Sequence, residues 1–218
     1  MVRTPLVIWG ASGHALVVSE IAKLTGKYLV KGYADDVNKY SGPTTYSGCK
    51  VYSGQDIISA LRNDGIGKVA MGFGHCSARL ALANRLKGEG IDVVTLIHPS
   101  AIISEDVVIG QGIVIAAGVV IDPGCTIGNY VIVNNSATIC HETVIGYGTH
   151  ICPGVTISGK VRVGSCSWIG AGSSIIDKIK IGKKCFIGLG SVVTNDIDNG
   201  ILAYGNPARK IRILTKPF

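Results

Sequence analysis

The apolar positions in the second half of the chain recur with a period of six residues. From Ile97 to Val193, every sixth residue is isoleucine or valine, without interruption. The fourth residue after each aliphatic is mainly small or β-branched, as in Val119, Ala137 and Thr143. This period fits neither the 3.6-residue repeat of an α-helix nor the two-residue repeat of a strand. It predicts short strands joined by corners, three to a coil, with the coils stacked about 4.8 Å apart around an aliphatic interior.

Glycine recurs at two positions of this hexad. It follows the aliphatic residue directly, as at Gly146, or comes three residues after it, as at Gly154. Glycine tolerates the positive φ of tight corners, and we predict that both positions require glycine because their φ is positive.

The first 96 residues show a different pattern, in which strand-like and helix-like apolar runs alternate. Strands are predicted at residues 6–10, 28–34, 68–73 and 92–97, and helices at residues 15–24, 56–62 and 77–86. This βαβαβ order predicts a small parallel sheet. We therefore expect a mainly β protein with an α/β N-terminal domain. Its predicted parts are a Rossmann-like domain at residues 1–96, a domain of stacked coils at 97–198 and a C-terminal tail at 199–218.

Composition narrows the class of protein. No apolar run approaches the roughly 18 to 20 residues needed to cross a bilayer, and residues 1–4 lead into a strand without a signal-peptide pattern. We therefore expect a cytoplasmic protein that does not bind membranes. The seven cysteines show no C-x-x-C spacing, and the histidines no H-x-x-H spacing, which favours reduced, mostly buried thiols and no metal site.

The net charge of +7 is divided unevenly along the chain. Residues 97–159 contain no lysine or arginine, whereas residues 160–218 contain ten and only three acids. This basic block is predicted to face a strongly anionic ligand, with a generally solvated surface as the alternative. Nucleic-acid binding is poorly supported, since few aromatic residues are present and none is interleaved with the basic ones. The basic residues of the block are Lys160, Arg162, Lys178, Lys180, Lys183, Lys184, Arg209, Lys210, Arg212 and Lys216.

A glycine turn follows the first predicted strand and leads into the first predicted helix. Gly10, Ser12, Gly13 and His14 lie in this turn, where the amides of a helix N-terminus suit phosphate oxygens. The spacing is G-x-x-G rather than G-x-G-x-x-G, so a dinucleotide cofactor is not expected. Asp35 and Asp36 end the next strand, where an acidic side chain grips a ribose or a base. A plain tight turn and a solvated acidic loop are the alternatives.

Two of the five histidines, His141 and His150, lie inside the hexad repeat. His141 falls at a corner, where side chains point outward, and Glu142 follows it. A carboxylate bonded to one ring nitrogen leaves the other nitrogen to accept a proton, which is the arrangement of a general base. A solvated His-Glu pair is the alternative on spacing alone.

Residues 97–198 resemble the hexapeptide-repeat acyltransferases, whose motif is [LIV]-[GAED]-x-x-[STAV]-x. This resemblance implies a left-handed parallel β-helix, a homotrimer with active sites between subunits, and acetyl-coenzyme A as donor. Together with the G-x-x-G-H turn and the Asp-Asp pair, the whole chain resembles the sugar O- and N-acetyltransferases related to sialic acid O-acetyltransferase and to the acetyltransferases of UDP-bacillosamine and GDP-perosamine synthesis. In that family the N-terminal domain holds the nucleotide of an amino-sugar nucleotide.

The family resemblance also assigns roles to residues. It makes His141, with Glu142, the general base, and it places an oxyanion-stabilising amide near Gly159. It places His150 at the acetyl or pantetheine end of the donor, and the tail after the last coil along the coenzyme A channel. The full set implied for acetyl-coenzyme A is His150, Gly159, Ile169, Gly170, Lys183, Lys184, Gly188, Asn206, Pro207, Ala208 and Arg209.

These observations predict an N-acetyltransferase acting on a nucleotide-linked 4-amino-4,6-dideoxyhexose for surface glycan synthesis, by direct transfer in a ternary complex. Three alternatives remain open: O-acetylation of sialic acid or a similar sugar, an acetyl-enzyme on a cysteine such as Cys140, and a trimeric scaffold without catalysis. The nucleotide base and the stereochemistry of the sugar are not fixed by the sequence.

Overall fold

The computed structural model describes residues 2–38, 42, 44–54 and 56–215 of the chain. The chain divides into two compact units, the first made of Met1–Gly74 and Ala81–Pro99 and the second of His75–Leu80 and Ser100–Phe218. The grouping of His75–Leu80 with the second unit was not anticipated. The three functional parts proposed above, with their boundaries, stay predictions.

The first unit contains short strands and helices in alternation. Its elements are β1 (Thr4–Trp9), α1 (Gly13–Leu24), β2 (Tyr28–Asp35), β3 (Thr45–Tyr46), β4 (Cys49–Ser53), α2 (Ile57–Asn63), β5 (Lys68–Met71), α3 (Cys76–Gly88, of which the residues up to Leu80 group with the second unit), β6 (Asp92–Val93) and β7 (Leu96–Ile97).

The sheet of this unit has the strand order β3-β4-β2-β1-β5-β6. All its pairs are parallel except β3 with β4, so the predicted parallel α/β sheet is confirmed. The β3–β4 hairpin was not predicted, although Ser47 and Gly48 at its turn both have positive φ, 49° and 73°, as two-residue hairpin turns require. The strand predicted at residues 92–97 is wrong as a single element, because β6 and β7 are separate strands.

The second unit is a parallel β-helix built from two-residue strands. Its regular strands are β8 (Ile102–Ile103), β9 (Val108–Ile109), β10 (Val114–Ile115), β11 (Val120–Ile121), β12 (Thr126–Ile127), β13 (Ile132–Val133), β14 (Thr138–Ile139), β15 (Val144–Ile145), β16 (His150–Ile151), β17 (Thr156–Ile157), β18 (Arg162–Val163), β19 (Trp168–Ile169), β20 (Ser174–Ile175), β21 (Lys180–Ile181), β22 (Phe186–Ile187) and β23 (Val192–Val193).

These strands form three faces of a prism. The first face contains β10, β13, β16, β19 and β22; the second contains β8, β11, β14, β17, β20 and β23; the third contains β9, β12, β15, β18 and β21. Each strand pairs with the strand eighteen residues further on, so that Ile121 lies opposite Ile139 and Ile139 opposite Ile157. The predicted coil of three hexads is therefore confirmed.

The interior of the prism is the predicted aliphatic ladder. Ile115, Ile139 and Ile157 have no exposed surface, and the residue four positions after the aliphatic is buried as well from Ile113 to Ser173. Where this residue is polar, its hydroxyl group has a hydrogen-bond partner. The hydroxyl groups of Thr143 and Ser167 donate to carbonyl oxygens of the next coil, at 3.1 and 2.7 Å. Buried hydroxyls therefore leave no unpaired donor at these positions, and the coils are bonded by side chains as well as by backbone.

The two glycine positions of the hexad have different causes, which corrects the prediction. Gly154, three residues after an aliphatic, has a φ of 66° and open space around it. Gly146, directly after an aliphatic, is absent from the positive-φ residues, but a Cβ there would lie 2.5 Å from the amide nitrogen of Ser165 in the next coil. The first position needs glycine for conformation, and the second needs it because two backbones come close together.

The C-terminal tail forms a hairpin. Strand β24 (Ile201–Gly205) pairs in parallel with β22 and so continues the first face, and β25 (Ala208–Ile213) pairs antiparallel with β24. Residues 216–218 of the predicted tail, including Lys216, lie outside the described residues.

A pair of substitutions separates the two glycine requirements. We expect Gly146→Ala to lower the free energy of unfolding by roughly 2 to 3 kcal/mol, because the added methyl group meets fixed backbone. Gly154→Ala, the matched control, should cost only about 1 kcal/mol for the left-handed conformation. Thermal unfolding of both variants measures the difference, and equal losses would contradict the assignment of separate causes to the two positions.

Candidate active site

His141 lies at an outer corner of the β-helix, between β14 and β15. Its Nδ1 is 3.0 Å from Oε2 of Glu142, and the ammonium group of Lys160 is 3.4 Å from the same oxygen. The hydrogen bond from His141, and then Lys160, hold the pKa of the Glu142 carboxyl below its usual range. Because an ionised carboxylate only accepts hydrogen bonds, Nδ1 donates and Nε2 of the neutral ring carries the lone pair.

Gly159 lies one coil beyond His141 and directly under its ring. A Cβ at position 159 would be 2.5 Å from Nε2 of His141, so only glycine leaves room for this ring position. The amide of Lys160 donates to the carbonyl of His141 at 2.9 Å, which fixes the two coils at this corner. The structure therefore brings together His141, Glu142 and Gly159, three of the predicted site residues.

Cys140 precedes this histidine and is half-buried. Burial, and then the neighbouring carboxylate of Asp122, raise the pKa of its thiol. Since the thiolate is the nucleophilic form, this environment disfavours attack by Cys140.

His150 lies on the first face, nine residues or half a coil from His141. It is only 4% exposed; its ring packs on Trp168 with centroids 4.3 Å apart, and Trp168 stacks on Phe186 at 6.0 Å. The side-chain amide of Asn134 is 3.4 Å from its Nε2. Within one chain, His141 and His150 therefore do not share a site, and the aromatic stack beside His150 was not anticipated.

Residues 75–80 are held on the second unit by a buried arginine. Arg79 is 1% exposed, and its guanidinium donates to the carbonyl oxygens of Tyr130, Gly148 and Thr149 at 3.2, 2.7 and 3.2 Å. Burial lowers the pKa of Arg79. The sequence placed Arg79 in a predicted helix without any signal of these long-range partners.

The other residues assigned to the donor lie away from the corner of His141. Ile169 has no exposed surface, so its side chain belongs to the interior. Gly170 and Gly188 follow strands of the first face, and added Cβ atoms there would meet Leu189 and Tyr204 at 2.5 and 2.7 Å. Exposed Lys183 and Lys184 lie at the corner between the third and first faces, and residues 206–209 at the β24–β25 turn.

The basic block is only partly available to a ligand. Lys160 and Lys178 are ion-paired with Glu142 and Asp177. Arg162 and Lys180 are exposed cross-strand neighbours on the third face, where no acid is paired with either among the described residues.

The glycine turn of the first unit joins β1 to helix α1. Gly10 has a φ of 121°, and its amide donates to the carbonyl of Ala34 at 2.7 Å. Helix α1 begins at Gly13, with half-buried His14 in its first turn, and the N-cap Ser12 makes no side-chain capping bond. In the sheet, β2 lies on one side of β1 and β5 on the other, so the order of strands reverses at β1. Parallel sheets bind ligands at such a switch point.

The two aspartates at the end of β2 differ in their surroundings. Asp35 is 4% exposed and accepts from the amides of Val37 and Asn38, at 2.9 and 3.1 Å, and from the side chain of Asn38. Asp36 accepts from Nε1 of Trp9 at 3.1 Å and pairs with Arg85 at 3.4 Å. Asp35 therefore holds its own turn, while Asp36 is the more accessible carboxylate. Trp9 and Arg85 were missed by the sequence reasoning.

Comparison with known proteins identifies the family. Residues 5–86 match the PglD N-terminal domain family. The chain is 30% identical to PerB from Caulobacter crescentus, crystallised with CoA and GDP-perosamine, with a TM-score of 0.89 over 97% of this chain and 99% of that one. A histidine-to-asparagine variant of perosamine N-acetyltransferase from the same organism, crystallised with the same ligands, is also 30% identical. Its TM-score is 0.89 over 97% of this chain and 98% of that one.

The acetyltransferase domain of PglB from Neisseria gonorrhoeae, in complex with acetyl coenzyme A, is also similar. It is 30% identical, with a TM-score of 0.86 over 96% of this chain and all of that domain. Fold and comparisons together define an acyltransferase with a hexapeptide β-helix. The chain belongs to the hexapeptide-repeat sugar N-acetyltransferases that carry a PglD-type N-terminal domain.

The different surroundings of the aspartates lead to a stability prediction. We expect Asp35→Ala to lower the free energy of unfolding by about 1 to 3 kcal/mol, because it leaves two backbone amides and the Asn38 side chain without their acceptor. Asp36→Asn, the control, should cost less than about 1 kcal/mol, because its amide oxygen can still accept from Nε1 of Trp9 and only the partly exposed ion pair with Arg85 is lost. Thermal unfolding distinguishes the two variants, and a larger loss of stability in Asp36→Asn would refute the assignment.

Proposed function

We propose that this enzyme transfers the acetyl group of acetyl-coenzyme A to the amino group of a nucleotide-linked 4-amino-4,6-dideoxyhexose of the bacillosamine or perosamine type. The observation that carries the proposal is the His141–Glu142 pair, with Nε2 of His141 lying over Gly159 at an exposed corner. The 30% identity to an enzyme crystallised with CoA and GDP-perosamine supports the same pair of substrate classes.

The chemistry needs one base. The acceptor nitrogen attacks the thioester carbonyl, a C–N bond forms, and the C–S bond to coenzyme A breaks. Nε2 of His141 takes one proton from the attacking nitrogen, while Glu142 keeps the donor proton on Nδ1 and stabilises the imidazolium that forms. The coenzyme A thiolate leaves and takes up a proton from the imidazolium, which restores the neutral ring of His141. A backbone amide near Gly159 is the proposed donor to the oxyanion of the tetrahedral intermediate.

The proposed assembly is a homotrimer with active sites between subunits. Apart from Gly159, the residues assigned to the donor lie on other sides of the prism than His141, so a site that contains both needs a second subunit. The outer positions of the second face support such contacts, since they are uncharged along its whole length. They are Ile102, Val120, Thr138, Thr156, Ser174 and Val192.

The proposed substrate sites use both units. The pyrophosphate of the sugar nucleotide binds the turn of Gly10, Ser12, Gly13 and His14, with Asp36 near the nucleoside. Asp35 contributes to this nucleotide site indirectly, by stabilising its own turn through hydrogen bonds. Donor phosphates bind basic residues of the C-terminal block, among them Lys183, Lys184 and Arg209, with His150 near the pantetheine end.

The alternatives are less well supported. O-acetylation is disfavoured because a structurally similar enzyme is described as an N-acetyltransferase. An acetyl-enzyme on Cys140 is disfavoured because burial and Asp122 raise the pKa of that thiol.

We also propose that the enzyme works in the cytoplasm, in synthesis of a surface glycan. None of the seven cysteines, every one of them described, forms a disulfide, and five are buried. Cysteines without disulfides are typical of a reducing compartment. Among the described residues, none of the helices has the length and apolarity to cross a membrane.

The release of coenzyme A tests this proposal. With a nucleotide-linked 4-amino sugar as acceptor, His141→Ala should lower kcat by roughly 10² to 10⁴, the contribution of a general base. His98→Ala, which removes a histidine outside the proposed site, serves as the control and should remain close to the parent enzyme.

Comparison of acceptors completes this experiment. The amino sugar should react, whereas its 4-hydroxy counterpart and free sialic acid should not. Activity with the hydroxyl acceptors alone would reject N-acetylation, undiminished release in His141→Ala would reject the assigned base, and no release with any acceptor would favour a scaffold.

A further inference from the structure

One column of corner residues runs along the edge of the β-helix on which His141 lies. Glu105, Pro123, His141, Gly159 and Asp177 occupy the same corner position in successive coils, eighteen residues apart. Backbone hydrogen bonds maintain this alignment: Glu142 donates to the carbonyl of Pro123, Lys160 to that of His141 and Lys178 to that of Gly159, at 2.9 to 3.0 Å. Asp177 and Glu105 are therefore each two coils from His141, on opposite sides of it.

The two intervening residues make these sides unequal. Toward Asp177 the intervening residue is Gly159, and the ring of His141 occupies the space above its Cα. Gly159 therefore places no side chain of its own between Nε2 of His141 and Asp177. Toward Glu105 the intervening residue is Pro123, which has a side-chain ring where Gly159 has none.

Electrostatics agrees with this geometry. Lys178, its ion-pair partner at 3.1 Å, holds the pKa of the Asp177 carboxyl below its usual range, and His141 contributes in the same direction. The charged and titratable groups around His141 on this edge are Glu142, Lys160, Asp177, Lys178, Cys140, Asp122, Asp106 and Glu105. Of these, Glu142 is bonded to Nδ1, and Asp177 is the acid on the side of Nε2.

We infer that Asp177 is a positioning residue for the reaction, which stabilises the imidazolium of His141 from the Nε2 side when the acceptor's proton arrives there. This inference rests on the proposed function. Proton transfer turns a neutral ring between two carboxylates into a cation between two carboxylates, so both acids favour the protonated state. Because Asp177 is exposed and paired with Lys178, its effect is moderate.

The pH dependence of kcat/KM tests this role. In Asp177→Asn the protonated imidazole loses a neighbouring carboxylate, so the base keeps its lone pair to lower pH. The acid limb of the profile should move to lower pH by roughly 0.3 to 0.7 units. The weaker base should also reduce the plateau of kcat about two- to fivefold, and Asp177→Glu should restore most of it.

Glu105→Gln is the matched control, since it removes a carboxylate at the same distance along the column but behind Pro123. It should leave both the acid limb and the plateau unchanged. An unshifted acid limb in Asp177→Asn, or an equal shift in Glu105→Gln, would overturn the inference. Thermal unfolding of each variant checks that the fold is intact, and Asp177→Ser offers a second neutral replacement.

The same series separates this inference from the proposed function. If His141→Ala abolishes turnover while Asp177→Asn leaves the pH profile unmoved, only the role of Asp177 fails. If His141→Ala retains full turnover, the assigned base fails and the pH profile no longer reports on His141.

Discussion

The backbone ladder between coils is the constraint on which this enzyme's chemistry depends. Each two-residue strand bonds to the strand eighteen residues later, and an aliphatic side chain from every strand fills the interior. An insertion or deletion within a hexad would turn the interior residues outward from that point. The corners are fixed just as strictly, because glycines such as Gly146 allow neighbouring backbones to approach closely. A rigid prism thus presents its outer residues in fixed columns.

The candidate site uses one of these columns. The ladder places Gly159 under the ring of His141, and it places Lys160 beside the carboxylate that orients the ring. No flexible loop is needed to bring the base and its orienting acid together, since they are neighbours in one corner. The residues proposed to bind the donor are likewise fixed by the ladder, on the other corners and on the first face. The proposed parts of the reaction therefore lie on different sides of one prism. The first unit contributes a separate switch-point turn at Gly10.

The sequence predicted what depends on local repetition and missed what depends on distant contacts. The hexads predicted the β-helix, and the family motif predicted an acetyltransferase; both are confirmed. The roles of His141, Glu142 and the other site residues stay predictions. The stack of His150, Trp168 and Phe186 follows the eighteen-residue repeat of the coils and could have been predicted from it. The clamp made by Arg79 and the bonding of Asp36 to Trp9 involve partners far apart in sequence. No spacing rule signals such pairs, whereas the Ser47-Gly48 turn of the missed hairpin was a local signal that could have been used.

The central claim is that His141 takes the proton of the acceptor amine at this corner of the β-helix. A crystal structure of the enzyme with coenzyme A and a nucleotide-linked 4-amino sugar tests it most directly. The account predicts the acceptor nitrogen about 2.6 to 3.2 Å from Nε2 of His141, with the coenzyme A sulfur on the same edge. An acceptor nitrogen bound out of reach of this imidazole, or a sulfur at another edge of the prism, would contradict it.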